Sequence, residues 1–215
     1  MISRKLLILG CGGHGKVVTE VAEALGYANI SYLDRPGSSA REFMGRGILG
    51  AEPEDYDDYF FVALGDNAKR ERAYNAFCQK NPRAVAVSLV HPSSVVSPRA
   101  LIGPGSIVMP LCVVNSSTTL GKGVIINTKA SVDHDNFLMD FSSCAPGVTL
   151  GGNVTVGLRS AISIGASIKH GISIGNDVVV GASSFVSCDV RDCVVAYGVP
   201  AKFVRDRKVG EPYLE

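Results

Sequence analysis

Residues 131–138 read SVDHDNFL, setting Asp133, His134, Asp135 and Asn136 in a row within a region otherwise rich in valine, isoleucine and glycine. A neutral imidazole, with an unperturbed pKa of about 6.5, can take a proton at physiological pH. A carboxylate on its other ring nitrogen would fix the tautomer and stabilise the imidazolium that forms. Asp133 and Asp135 both lie close enough in sequence for that role, so the chemistry offered is general-base catalysis. A second group is GCGGHG, where Gly10, Gly12 and Gly15 satisfy GxGxxG and Asp34 follows at the end of the next apolar run. Glycines at this spacing let backbone N–H groups and a helix start approach phosphate, with the acid on a ribose hydroxyl. The alternative is a tight turn with no ligand.

The elements that must position these groups differ along the chain. In the first ninety residues KLLILG reads as a buried strand. KVVTEVAEALG has helical spacing, ISYLD and DYFFVALGD are strands, NAKRERAYNAFCQK is a polar helix, and AVAVSLVHP is a last strand. Alternating strands and helices imply a small parallel sheet with ligands at the strand ends. Fewer than a hundred residues precede the next pattern. That is about half of a full dinucleotide-binding fold, which favours a mononucleotide or nucleotide-sugar over NAD.

From Val96 to Val186, fifteen of the sixteen positions reached by steps of six are aliphatic, and the exception is Cys144. Neither a helix nor an ordinary strand keeps that period on one face. Short strands joined by corners, each with one inward aliphatic, do keep it, as in hexapeptide β-helices. Val132 then points inward, so His134 falls at a corner with its ring outward.

Composition narrows the class. The chain has 215 residues and a formal net charge of +1, enough for one large domain or two small ones and without the basic stripe of a nucleic-acid binder. No apolar run approaches the roughly 18 residues of a membrane span. The start, MISRKLLILG, lacks a longer apolar region and cleavage site, which reads as cytoplasmic. Six cysteines show no CxxC or zinc spacing, so reduced, mostly buried thiols and no metal are expected.

The succession GCGGHGKVV, LD at residues 33–34, ALGDN, HPSSVVSP, a hexapeptide run containing INT and VDHD, and a closing GVPAKFVR resembles the PglD/NeuD-type sugar acyltransferases over nearly the whole chain. The resemblance implies a Rossmann-like α/β domain over residues 1–92. A left-handed parallel β-helix follows over residues 93–215, with three hexapeptides per coil. It implies a homotrimer with acetyl-CoA between neighbouring prisms, His134 as the base and Asp135 orienting it. Carried over to this chain, the nucleotide-linked amino-sugar lies against Gly12, Gly13, His14, Asp34, Arg35, Gly65, Asn67 and Asn127. Acetyl-CoA lies against Ser143, Gly152, Ile164 and Ala182.

Two departures stand out. Family members often carry a second histidine where this chain has Ser143, and a second acid where it has Arg35. Gly152, one coil beyond His134, is expected to leave room for the thioester, with a corner requiring positive φ as the alternative. His170, two coils beyond, has no adjacent acid and reads as a surface or pantetheine-side residue. The activity implied is N-acetylation of a nucleotide-linked 4-amino-4,6-dideoxy sugar. Sialic acid O-acetylation, a non-catalytic nucleotide-sugar sensor and an NAD-linked oxidoreductase are the alternatives.

Overall fold

The computed structural model describes residues 5–35 and 37–214; Met1–Arg4, at the start of the segment read for targeting, lie outside the described residues. The front domain runs β1 (Leu6–Leu9), α1 (Gly13–Ala24), β2 (Ile30–Leu33), β3 (Glu42–Phe43), β4 (Arg46–Gly47), β5 (Tyr59–Val62), α2 (Asn67–Lys80) and β6 (Val85–Ala86). Its sheet has the order β2-β1-β5-β6 with parallel pairings. β1 is buried along its whole length, as expected of a central parallel strand covered on both sides. The β3–β4 hairpin was not expected from the sequence.

AVAVSLVHP does not form one strand. Val85–Ala86 pairs with β5, whereas Leu89–Val90 pairs with Ile107–Val108 and is the first rung of the β-helix. The solenoid therefore starts by residue 89, a few residues before the expected boundary at 93.

Seventeen two-residue strands follow between Leu89 and Val186. They stack as three parallel sheets, the faces of a triangular prism of about six coils. Register repeats every eighteen residues; for example, Val114 pairs with Val132, and Val132 with Leu150. From Val108 to Val186 every aliphatic of the six-residue step is buried, with Cys144 filling its turn in the series. Burying each such side chain stabilises the fold by about 1.5–3 kcal/mol.

Each corner from Gly105 to Ser183 turns at the third residue after the inward aliphatic, and that residue has positive φ at every corner. The next residue is inward again. Small polar residues there tie successive coils together: Ser106 Oγ donates to Gly121 O and Ser160 Oγ to Gly175 O. A hairpin, Val194–Gly198 with Ala201–Asp206, closes the prism where GVPAKFVR occurs. Of the cysteines, only Cys112 and Cys144 are buried outright, fewer than expected; Cys188 is exposed.

The two domains dock through α2. Arg70 is 1% exposed, and its guanidinium donates to Gly123 O, Phe141 O, Leu64 O and Gly65 O and to Asn67 Oδ1. Burial lowers its pKa to about 10, which leaves it charged at neutral pH. Arg159 extends the joint, binding Glu71 of α2 at 2.9 Å and Asp177 of the prism.

Candidate active site

His134 stands at the corner after Ser131–Val132 with its side chain 58% exposed. The corner beneath it is clamped from both sides. Thr118 Oγ1 and Asn136 Nδ2 both donate to Asp133 O, and the buried Asn136 accepts from Val154 N of the next coil. Asp135 occupies the positive-φ position, which aspartate tolerates better than most residues. Its Oδ2 lies 2.7 Å from His134 Nδ1. Asp133 is turned away from the ring, accepting from Asn115 Nδ2 and from His134 N. The hydrogen bond to Asp135, with the charge of Asp133 adding, raises the imidazole above its ordinary pKa. In the neutral ring Nδ1 carries the proton toward Asp135, which leaves the Nε2 lone pair able to accept one.

Gly152 lies directly under that ring. A Cβ on it would come within 2.6 Å of His134 Cε1 and Nε2, and its φ is not positive. The glycine therefore makes room for the imidazole itself, and the positive-φ alternative fails. Asp133, His134, Gly152, Asn153, Lys169 and His170 line one open groove of about 550 Å³ along this edge.

The front domain offers a second site. A pocket of about 590 Å³ at the ends of β1 and β2 is lined by Gly10, Gly12, Asp34, Arg35, Glu52 and Phe77, among others. Gly15 is required because a Cβ there would collide with Gly10 O, and Gly10 itself has φ of +115°. Gly12 caps α1 without a side-chain partner, and a Cβ on either Gly12 or Gly13 would meet open space. The N-terminus of α1 is thus open to an anion. Hydrogen bonds from Ser38 and the Arg35 backbone hold Asp34 below the usual carboxylate range.

A third space, of about 330 Å³, lies between the domains. It gathers His14, Gly65, Asn127, Ser143, Ile164 and Ala182, which the sequence had distributed between two ligands. His14 Nε2 is buried without a partner among the described residues, and burial, with Arg70 nearby, pushes the ring down to about 4. Asn67 behaves differently from expectation. Its Nδ2 contacts Ser143 Oγ, Arg159 O and Ser160 O while its Oδ1 accepts from Arg70, so its side chain is an interdomain joint rather than a free ligand group.

Within one chain the cavity and His134 are not brought together. The cavity follows the face of Ile125, Ser143, Ala161 and Val179 and the corner of Asn127, Pro146 and Ile164, whereas His134 sits at the following corner, one face away. Among the described residues no group of three or more His, Cys, Asp or Glu side chains is arranged for a metal, and no helix is long and apolar enough to cross a membrane.

The family model of the PglD N-terminal domain matches residues 5–77. The acetyltransferase domain of PglB from Neisseria gonorrhoeae FA1090, in complex with acetyl coenzyme A, is 37% identical. The match covers 94% of this chain and 99% of that one, with a TM-score of 0.88. The chain belongs to the PglD-type family of hexapeptide-repeat sugar acetyltransferases. PerB from Caulobacter crescentus, in complex with CoA and GDP-perosamine, is 33% identical over 95% of this chain and 99% of that one, with a TM-score of 0.85. GDP-perosamine N-acetyltransferase of Escherichia coli O157:H7 is 28% identical over 111 residues, and the match spans about half the length of that curated relative, 49%.

One part of the cavity has no counterpart among the motifs of the sequence. Tyr213 and Leu214 return from the C-terminal tail to line it, and Tyr213 Oη lies 3.2 Å from Ser143 Oγ. The only trace in the sequence was an aromatic and an aliphatic, PYL, in an otherwise charged tail.

Proposed function

We propose that this chain is an acetyl-CoA-dependent N-acetyltransferase acting on the 4-amino group of a nucleotide-linked 4-amino-4,6-dideoxy sugar, as a homotrimer. One observation carries the reading: the GCGGHG turn borders two spaces, with Gly12 on the front pocket and His14 on the interdomain cavity. A nucleotide in the first, with its diphosphate at the open start of α1, would deliver its sugar to the second. The relatives named for GDP-perosamine, itself a 4-amino-4,6-dideoxy sugar, support that substrate class.

The cavity suits a thioester arm. Pro146, Ile164 and Ala182 give it an apolar side, and the Ser143 hydroxyl gives it a polar end. Acetyl-CoA, when bound, supplies an activated acyl group. His134 of an adjoining copy meets the amine there, since its own cavity lies one face away. His134 Nε2 takes the amine proton as the C–N bond forms, and Asp135 stabilises the resulting imidazolium; the thioester C–S bond then breaks, and CoA leaves as the thiol with that proton. Ser143 donates toward the carbonyl oxygen as negative charge grows on it. Direct attack needs no covalent enzyme adduct, and Cys144 is no candidate for one: it is buried in the core and its thiol is pushed up to about 12.

The test is release of free CoA from acetyl-CoA against a panel of UDP- and GDP-linked 4-amino sugars. Sugar-dependent release matched by acetylated product is expected. Tight NAD binding with no acetyl-CoA consumption would contradict it.

A further inference from the structure

The tail after the terminal hairpin is strapped back to the front domain. The buried Arg207 donates to Asp177 O at 2.8 Å and to Glu211 O. Gly210 N donates to Asp177 Oδ1 at 2.9 Å, and Tyr213 N to Asp66 Oδ2 at 3.2 Å. The strap sets the Tyr213 hydroxyl between two oxygens: it donates to Gly65 O at 3.1 Å and lies 3.2 Å from Ser143 Oγ. Ser143 Oγ also accepts from Asn67 Nδ2 at 3.0 Å. Gly65 O does not depend on the tyrosine, because Arg70 Nη1 donates to it at 3.0 Å.

The two hydroxyl protons therefore have two arrangements. With no acceptor in the cavity, Ser143 donates to Tyr213 Oη and Tyr213 to Gly65 O. When a ligand oxygen takes the Ser143 proton, Tyr213 can turn its own onto Ser143 Oγ, and Gly65 O keeps Arg70. Neither arrangement leaves these oxygens unpaired, so the exchange carries little desolvation cost. In the second, Ser143 donates with two donors behind it, and hydrogen bonds in such a chain strengthen one another. Burial raises the phenol's pKa, so the proton stays available at neutral pH.

We propose that Tyr213 is a positioning residue for acyl transfer, acting through Ser143 to strengthen the hydrogen bond to the acyl carbonyl oxygen in the transition state. This rests on the acetyltransferase reading above.

A double-mutant cycle of Tyr213→Phe, Ser143→Ala and the pair tests it, with kcat, acetyl-CoA KM and thermal unfolding measured for each. Tyr213→Phe keeps the ring, and Ser143→Ala leaves Asn67 its bonds to Arg159 O and Ser160 O, so both variants should fold. Tyr213→Phe should lower kcat by about 3- to 10-fold, a typical worth for one hydrogen bond, with KM and melting temperature close to wild type. The double variant should be no slower than Ser143→Ala alone. Losses that multiply, or a Tyr213→Phe effect confined to KM or melting temperature, would overturn the role. A wild-type protein that releases no CoA with any 4-amino sugar would overturn the acetyltransferase reading and this inference with it.

Discussion

The His134 corner draws its supports from neighbouring coils of one prism, whereas the interdomain cavity takes its walls from residues as far apart as His14, Asn127 and Leu214. At the corner, eighteen-residue stacking places Thr118 one coil before Asn136, and His134 one coil before Gly152. In the cavity, position depends on how α2 docks on the prism through Arg70 and Asn67. The corner holds an exposed imidazole; the cavity holds buried and half-buried polar groups in a largely apolar space. On the proposed acetyltransferase reading the labour divides between them: the corner supplies proton transfer and the cavity binds and polarises.

The sharpest way to break that division is to remove the base. His134→Ala should lower kcat by about 10²–10⁴-fold while both ligands still bind, because the base acts mainly in the transition state. Equilibrium binding alongside steady-state kinetics checks this; a variant that binds poorly would move His134 into the binding half.

Gly152→Ala probes the same corner without touching its chemistry. Its methyl must displace the imidazole, and a misplacement of about 1 Å can cost on the order of 10²-fold in rate. That kcat loss is expected with unchanged melting temperature and ligand binding. Unchanged turnover would mean the ring does not work from its place over Gly152.

Asp135→Asn should reduce kcat by about 10- to 100-fold, the range for a hydrogen bond to a charged group. The pH dependence gives the sign. Because Asp135 is the largest cause raising His134, wild-type kcat should climb with pH through a pKa above the ordinary imidazole value and then level. In the variant that rise should move to lower pH. A rise that stays in place would point to a different partner for the base.

The smallest effect belongs to the far end of the binding half. Asp34→Ala should raise the nucleotide-sugar KM by about tenfold and leave acetyl-CoA KM alone, since the two pockets lined by Asp34 belong to the front domain. A parallel rise in both constants would merge the two ligand sites.

What the sequence disclosed follows the same line. A six-residue period determines which side chains point inward, so Val132, Cys144 and the outward His134 could be read by counting. The eighteen-residue column linked His134 to Gly152, although counting could not show that the imidazole folds down onto the glycine. Residues placed by docking were not legible in this way. Asn67 stood in an ALGDN motif that looked ligand-facing, yet α2 turns it into the joint. Tyr213 is seventy residues from Ser143, and only the strap through Arg207 and Asp177 brings their hydroxyls together. The split of AVAVSLVHP had the same cause: partner choice, not local propensity, sent Leu89–Val90 to the prism.

Whether the corner of one copy completes the cavity of another can be tested by mixing two inactive variants. His134→Ala lacks the base but keeps an open cavity, and Ala182→Phe keeps the base but fills the cavity. Co-expressed, random trimers would join an intact corner to an intact cavity at about a quarter of their interfaces. The account predicts that each variant alone is nearly inactive and that the mixture recovers up to that fraction of wild-type CoA release. No recovery from mixed trimers, with both variants folded and assembled, would contradict a site shared between copies.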